Sequence, residues 1–280
     1  MVISYRVLQG GSVGTTLIQS VNRAIMILGL FSLAKPQLGI TDMSRALKLH
    51  KGTVQGLVRT LTDQGFLEQD CYSRKYRLGS KVYELGIIRA GSLEINQKAS
   101  IPAHQLALRT ERLVRIATWD KNSTLVTMDV YPRSEPFLSR QFETRIPPHC
   151  TSLGKALLAF LEKDELNAYL EQAALFPYTP NTIVNKDQLL KELDETRLRG
   201  YSLNRGEHLL GRAGLGAPIF GREKRLVGSI CLVCAAGQDG ENITKYAEDV
   251  KATALEISRH MGYFAEAHAV ERVEGSDNEE

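Results

Sequence analysis

The sequence predicts an α+β protein in two parts, a small basic helical module followed by a larger mixed domain. Three observations predict it. Apolar residues recur at helical spacing three times between positions 20 and 65. Two short strand-like runs follow directly. Beyond position 112, strand patterns enclose a block of helical pattern, the layout of a sheet with helices on its faces.

The 280 residues suffice for two ordinary domains, and 43% hydrophobic with 24% charged residues describes a globular chain. Four cysteines (Cys71, Cys150, Cys231, Cys234) are too few for a disulfide framework at this length. No apolar run approaches the roughly 20 residues that span a bilayer. MVISYRVLQGG lacks the apolar core of a secretory signal, so a reducing cytoplasm is expected. Charge is uneven. Leu17 to Leu78 carries nine Lys/Arg against four Asp/Glu, +5, while the whole chain is +3 and the remainder therefore −2. A basic module on a near-neutral body is an electrostatic footprint for nucleic acid.

Residues 1–16 are expected to form a mobile tail. Val21, Ala24, Ile25, Leu28 and Phe31 then define one face of a first helix, with Ser20 as cap. A second helix starts at a Thr41 cap, with Met43, Ala46 and Leu47 as its stripe. After a break at Leu49-His50, Val54, Leu57, Val58 and Leu61 mark a third helix, closed by Gly65. Its polar side presents Lys51, Thr53, Gln55, Arg59 and Thr60, with no acid before Asp63. Thr and Gln suit base edges, Lys and Arg suit phosphate or guanine. FLEQD and KYRLG form a hairpin whose tip and return strand carry Arg74, Lys75 and Arg77. A helix-turn-helix at 41–64 with a basic wing at 66–78 is the signature of a DNA-binding module, and double-stranded DNA is the expected partner.

Helical pattern resumes at Ser80, with a stripe of Val82, Leu85, Ile87 and Ile88 and another from Ile95 to Leu108. Pro102 either interrupts this run or opens a new helix. LVRIATWD and STLVTMDVY read as paired strands joined by KN, and PFLSR as a third. HCTSLGKALLAFL opens a helix at Thr151 or Ser152. DELNAYLEQ and DQLLKELDETRLRG are helices; YSLNRGEH, GLGAPIF and RLVGSICLVCA are strands; a last helix runs from about Asn242 past Met261.

SVNRAIMILGLF, ITDMSRALKLHKGTVQGLVRTLTDQGFLEQD, YRLGSKVYELG, HCTSLGKALLAFL and GYSLNRGEHLLGRAGLGAPIFGREKRLVGSICLV, in this order, resemble the IclR-type transcriptional regulators over residues 15–268. The resemblance implies a winged helix-turn-helix at 17–79, a helical linker at 80–100, a GAF-like effector domain at 101–268 and an acidic tail at 269–280. It implies dimers or tetramers on palindromic operators, and repression of a catabolic operon under a small organic acid effector. Carried over by position, the effector wall comprises Leu138 and Ile146. Thr151, Ser152, Leu153 and Gly154 form the helix mouth, and Asn204, Gly214, Cys231 and Val233 the strand side. A helix start with hydroxyls beside it favours a carboxylate.

The sequence departs from the pattern of members that bind small 2-oxo acids, where Asp, Cys, Ser and Ser stand at the positions of Asn204, Gly214, Cys231 and Val233. The site is therefore expected to be less polar and roomier at Gly214, for a larger, partly apolar or aromatic ligand.

Other readings carry less. Cys231 and Cys234 are three apart on a strand and face opposite ways, so neither metal nor redox chemistry is expected. His149-Cys150 with His208 lacks ligand spacing. Gly211, Gly214 and Gly216 do not form a nucleotide loop, because Pro218 follows. Ser152 has no nucleophile elbow. Trp119 is expected in the core or an interface. No catalytic residue, metal or cofactor is expected. The alternatives are a DNA-binding regulator that needs no ligand, and an enzyme fused to a DNA-binding module.

Overall fold

The structure, a computed structural model, describes residues 17–133, 143–235 and 240–264. The expectations for residues 1–16, 136–140 and 269–280 fall outside these. The chain divides into two compact units, meeting in sequence at Arg89 and Ala90.

In the first unit, α1 (Gln19–Leu28), α2 (Ile40–Leu47) and α3 (Lys51–Asp63) precede a ribbon of β1 (Leu67–Gln69) and β2 (Tyr76–Leu78). β1 and β2 pair antiparallel, Leu67 opposite Leu78. Ile27, Met43, Val54, Val58, Leu61 and Leu67 form the buried core. α3 buries the expected face. α1 does so only in part: Ala24, Leu28 and Phe31 pack on the core, but Val21 and Ile25 are 52% and 62% exposed, and Ile27 is the fully buried residue. Both sets obey helical spacing, and only the partner helices choose between them. α1 also starts before Ser20, after Ile18, with no side-chain cap. Thr41 lies inside α2; the cap is Gly39, whose N–H donates to Asp42 Oδ2 at 3.1 Å. Ala46 is exposed, and half-buried Ser44 donates instead to Leu49 O at 2.6 Å. The turn into α3 passes through Lys48 at φ +54°, and His50 Nδ1 accepts the Gly52 N–H at 3.3 Å. Gly65, at φ +74°, ends α3 as expected.

α4 (Ser80–Ser92) runs through the sequence boundary between the units and buries no residue. α5 (Glu94–Thr110) follows. Pro102 neither interrupts α5 nor opens a new helix; it sits buried inside it. The backbone bond lost there is offset by packing of Ile95, Ala99, Ala103, Leu106 and Ala107 into the core of the second unit. The predicted linker of 80–100 therefore ends early, and Leu108 is exposed.

The remaining elements are β3 (Leu113–Asp120), β4 (Ser123–Val130), β5 (Arg145–Ile146), α6 (Ser152–Phe160), α7 (Lys163–Gln172), α8 (Lys186–Arg199), β6 (Ser202–Arg205), β7 (Arg212–Phe220), β8 (Leu226–Ala235) and α9 (Ala247–His260), which stops short of Met261. The strands form one antiparallel sheet, ordered β5-β4-β3-β8-β7-β6. Alternation sorts its faces. Val114, Ile116, Leu215, Ile230, Leu232 and Cys234 join α5 and α9 in one core. Ala117, Val126, Cys231 and Val233 meet Leu153 of α6 on the other side. α6 is apolar nearly all round, so it is buried on both sides. Its outer side packs on Leu166, Tyr169 and Leu170 of α7 and on Leu189 and Leu193 of α8. Trp119 joins that layer, edge-on to Tyr169 at 5.6 Å between centroids.

α6 approaches β7 closely because the strand offers glycine there. A Cβ on Gly216 would stand 2.6 Å from Ser152 O and 2.8 Å from Ser202 Oγ. Replacing an interior strand glycine by alanine is ordinarily neutral or stabilising. Here Gly216→Ala is expected to lower stability by about 1–3 kcal/mol through overpacking, read as a lowered urea midpoint; an unchanged or raised midpoint would remove the glycine from this role.

Candidate functional site

Two surfaces carry the functional residues named above. The first is the outer side of α3. Lys51, Thr53, Gln55, Arg59 and Thr60 are all exposed, opposite buried Val54, Val58 and Leu61. Thr60 Oγ1 donates to Gly56 O at 3.2 Å, which leaves its oxygen as an acceptor. Thr41 is exposed on α2. In the ribbon, Arg74 and Lys75 are exposed. The tip is shaped by Asp70, whose Oδ1 accepts from the Ser73 N–H (2.7 Å), the Ser73 hydroxyl (2.8 Å) and the Tyr72 N–H (3.2 Å). The Ser73 bonds hold the Asp70 carboxyl below its ordinary pKa. Arg77 pairs with Glu68 at 3.1 Å across the ribbon, so it presents less free charge than Arg74 or Lys75.

The second is a partly open cavity between the start of α6 and the sheet. Ile146, Thr151, Ser152 and Leu153 line one side, and Asn204, Gly214, Cys231 and Val233 the other, as the sequence positions implied. Gly154 is not on the wall; it lies against Pro148, where a Cβ would be 2.3 Å from backbone atoms. Leu138 lies outside the described residues. Arg115, His208, Leu209, Arg212 and Ala213 also line the cavity and were not named from sequence. For two of them a signal existed: Arg115 is a lone charge within the apolar run LVRIATWD, and Arg212 precedes Gly214 by two on the same strand face.

The expectation at Gly214 is overturned. A Cβ there would stand 2.5 Å from Ser152 Oγ, so the glycine permits close packing and leaves no extra room. Two arginines and a histidine add polar groups to the lining at positions outside the comparison with 2-oxo acid binders. Arg115 is buried, with Nε on Asp129 Oδ1 at 2.8 Å, and Nη2 on Asp129 Oδ2 at 3.3 Å and Glu143 O at 3.0 Å. Burial alone would lower its pKa; the hydrogen bond and charge of Asp129 raise it instead. Arg212 is half-buried, and its guanidinium has no acidic partner among the described residues. His208 lies 3.9 Å from Glu143 and edge-on to Tyr178, which also neighbours His149. Burial lowers the pKa of both histidines. It pushes the Cys231 and Cys150 thiols up to about 12, so both are neutral and poor nucleophiles. Cys231 faces α6 and Cys234 the opposite core. Among the described residues, no group of three or more His, Cys, Asp or Glu side chains is arranged to hold a metal.

Thr151 caps α6: its Oγ1 accepts the Gly154 N–H at 3.2 Å and donates to Pro147 O at 2.8 Å. One turn along, Lys155 is 1% exposed. Its Nζ meets both Glu207 carboxylate oxygens, at 2.7 and 3.0 Å, and Glu192 at 3.4 Å. Glu192 in turn accepts from Arg199 at 2.6 Å. The Glu207 N–H donates to Asn204 Oδ1 at 2.9 Å, which ties the pair to the cavity wall. Burial raises the Glu207 pKa against the pull of Lys155. Lys155→Met would strand the Glu207 charge, and a loss of about 3–5 kcal/mol is expected in chemical unfolding. Lys155→Met/Glu207→Met should recover most of it. A double variant no more stable than the single one would mean that packing, not charge, sets the cost.

Both units are similar to known proteins. The IclR helix-turn-helix domain matches residues 20–70, and the bacterial transcriptional regulator IclR C-terminal domain matches residues 89–259. The Escherichia coli HTH-type transcriptional regulator XynR is 32% identical over 248 residues, covering 88% of this chain and 98% of its own. The crystal structure of Thermotoga maritima IclR superposes with a TM-score of 0.71 at 25% identity, covering 88% of this chain and 100% of that one. An IclR homologue from Microbacterium hydrocarbonoxydans, crystallised with 4-hydroxybenzoate, superposes with a TM-score of 0.75 at 20% identity, over 86% of this chain and 98% of that one. With one domain match spanning well over half its length, the chain belongs to the IclR family of DNA-binding transcriptional regulators.

Proposed function

We propose that the protein is a ligand-responsive repressor of a catabolic operon. In this reading α3 enters the major groove, the ribbon follows the backbone, and a small organic carboxylate in the α6 cavity changes DNA affinity. One observation carries the sensing half: a helix start, two arginines and apolar residues converge on one cavity whose single thiol, Cys231, is neutral and whose described lining offers no activated nucleophile. A helix N-terminus favours an anion. The coupling is conformational linkage, in which the ligand shifts the equilibrium by its differential affinity for two arrangements. α4, helical through the boundary at residues 89 and 90, is the covalent route for it.

A palindromic operator needs a twofold protein. Supporting self-association, Ile18, Val21 and Ile25 leave an apolar row exposed along α1. Ile25→Glu is expected to shift the sedimenting species toward monomer without lowering the melting temperature; an unchanged distribution would place the contact elsewhere.

Selection of bound genomic fragments by the purified protein tests the reading as a whole. Recovery of fragments sharing a twofold-symmetric sequence is expected, with the neighbouring genes naming the pathway. Fragments without common sequence would overturn it. Arg59→Ala should weaken binding on every sequence and reduce the slope of log K against log salt by about one, as loss of one phosphate contact does. An unchanged slope with altered base preference would put Arg59 on a base edge.

A further inference from the structure

We propose that the cavity takes a ligand with two anionic ends, a dicarboxylate with an apolar body, one end held at the start of α6 and the other by Arg212. The proposal rests on the reading of this cavity as the effector site and deepens it to a ligand class.

The two ends are separate features. At α6, the first backbone bond of the helix is Lys155 N–H to Thr151 O, and Thr151 Oγ1 serves Gly154. The N–H groups of Ser152 and Leu153 therefore lie ahead of the ladder, in a first turn that contains no acid. At the other end, charge is out of balance. Asp129 neutralises Arg115, and Lys155 occupies Glu207. Glu143, half-exposed, stands near His208. None of these carboxylates pairs with Arg212, a half-buried residue of the lining that has no acidic partner among the described residues.

Strand geometry keeps the ends apart. Arg212 and Gly214 share the α6-facing side of β7, two residues or about 7 Å apart. Gly214 is the residue that abuts the Ser152 hydroxyl. Arg212 therefore stands beyond the helix mouth, where one carboxylate would leave one of the two anion sites empty. The lining also has an apolar part: Ile146, Leu153, Leu209, Val233 and the neutral Cys231 thiol.

His208 adds a proton to the second end, because it reaches the cavity from the β6–β7 connection that leads into Arg212. Tyr178, Glu143, Arg115 and His149 surround it. Burial lowers its pKa, with Arg115 adding to the effect and Glu143 opposing it. A second carboxylate beside it favours the imidazolium, so binding takes up protons and tightens as pH falls from 8 to 6. The ligand carboxylates stay ionised throughout.

Calorimetry on the full chain with benzoate, 4-hydroxybenzoate and terephthalate at pH 6, 7 and 8 tests this. The three share one aromatic body and differ at the far end. Terephthalate is expected to bind about tenfold tighter than benzoate or more, as a charge-assisted pair supplies. Arg212→Gln should abolish that preference, and Arg212→Lys, which keeps the charge, should retain most of it. Equal affinity for terephthalate and benzoate, or an Arg212→Gln loss shared by all three, would overturn the two-ended ligand and leave the cavity as a monocarboxylate site. An absence of binding by all three would overturn the effector reading itself. Affinity independent of pH would overturn the role given to His208.

Discussion

The contact on which the second unit depends is the seating of the α6 start against β7. Gly214 and Gly216 put no Cβ between strand and helix, and Ser152 fills the space with its hydroxyl and carbonyl. Ser202 Oγ donates to that same carbonyl at 2.6 Å, and Ser229 Oγ to Leu153 O at 3.1 Å, which pins the first turn to the sheet from two strands. A helix set this deep must bury whatever its next turn carries, and that turn carries Lys155. An ammonium at 1% exposure requires an acid, which Glu207 supplies from the β6–β7 connection. Glu207 is held by Asn204 Oδ1 and by the Thr182 hydroxyl on its carbonyl. The connection so fixed delivers His208, Leu209 and Arg212 to the cavity. Close packing at two glycines thus propagates, through one buried ion pair, to the residues that would meet a ligand.

The two units solve different physical problems. The first has a small core and spends its surface on cations, nine Lys/Arg against four acids from Leu17 to Leu78. Such a surface binds a polyanion through counterion release, and its affinity depends steeply on salt. The rest of the chain is net negative, so the cations facing its cavity are a local feature. Local cations in a partly buried site act at short range on small anions, whereas the exposed face of α3 acts over the length of a phosphate backbone. One chain can therefore carry two anion-binding surfaces without confusing their ligands.

Much of this was legible in sequence. Periodicity placed α2, α3, the ribbon, β3 with β4, and the start of α6, because each is decided by local pattern and local capping. The cavity wall at Ile146, Thr151, Ser152, Leu153, Asn204, Gly214, Cys231 and Val233 was legible through the family resemblance. What was not legible depends on partners far away in sequence. α1 holds apolar residues on more than one side, and both Val21/Ile25 and Ala24/Ile27/Leu28 have helical spacing; only α2 and α3 decide which is inside. Pro102 reads locally as a breaker, and the packing of Ile95 through Ala107 overrides it. Gly214 reads as lost bulk, and becomes a close approach only once Ser152 stands opposite. Arg212 reads as a solvated charge until the sheet register sets it on the face of Gly214.

The same ion pair constrains how a signal can leave the cavity. Allosteric coupling between two ligands is worth about 1–3 kcal/mol in most systems. Separating Lys155 from Glu207 would leave charges unpaired in a buried site at about 3–5 kcal/mol. A small ligand therefore cannot work by breaking that pair, although Asn204 touches both the cavity and Glu207. The pair instead makes α6 and the β6–β7 connection move as one body. What remains free to respond is Arg212, with no acidic partner to lose among the described residues, and His208, whose contact with Glu143 at 3.9 Å is long and half-exposed. Closing these onto an anion forfeits no strong bond, so little of the binding energy is consumed locally. The remainder is available to shift the whole body against the helices that carry the chain toward α4.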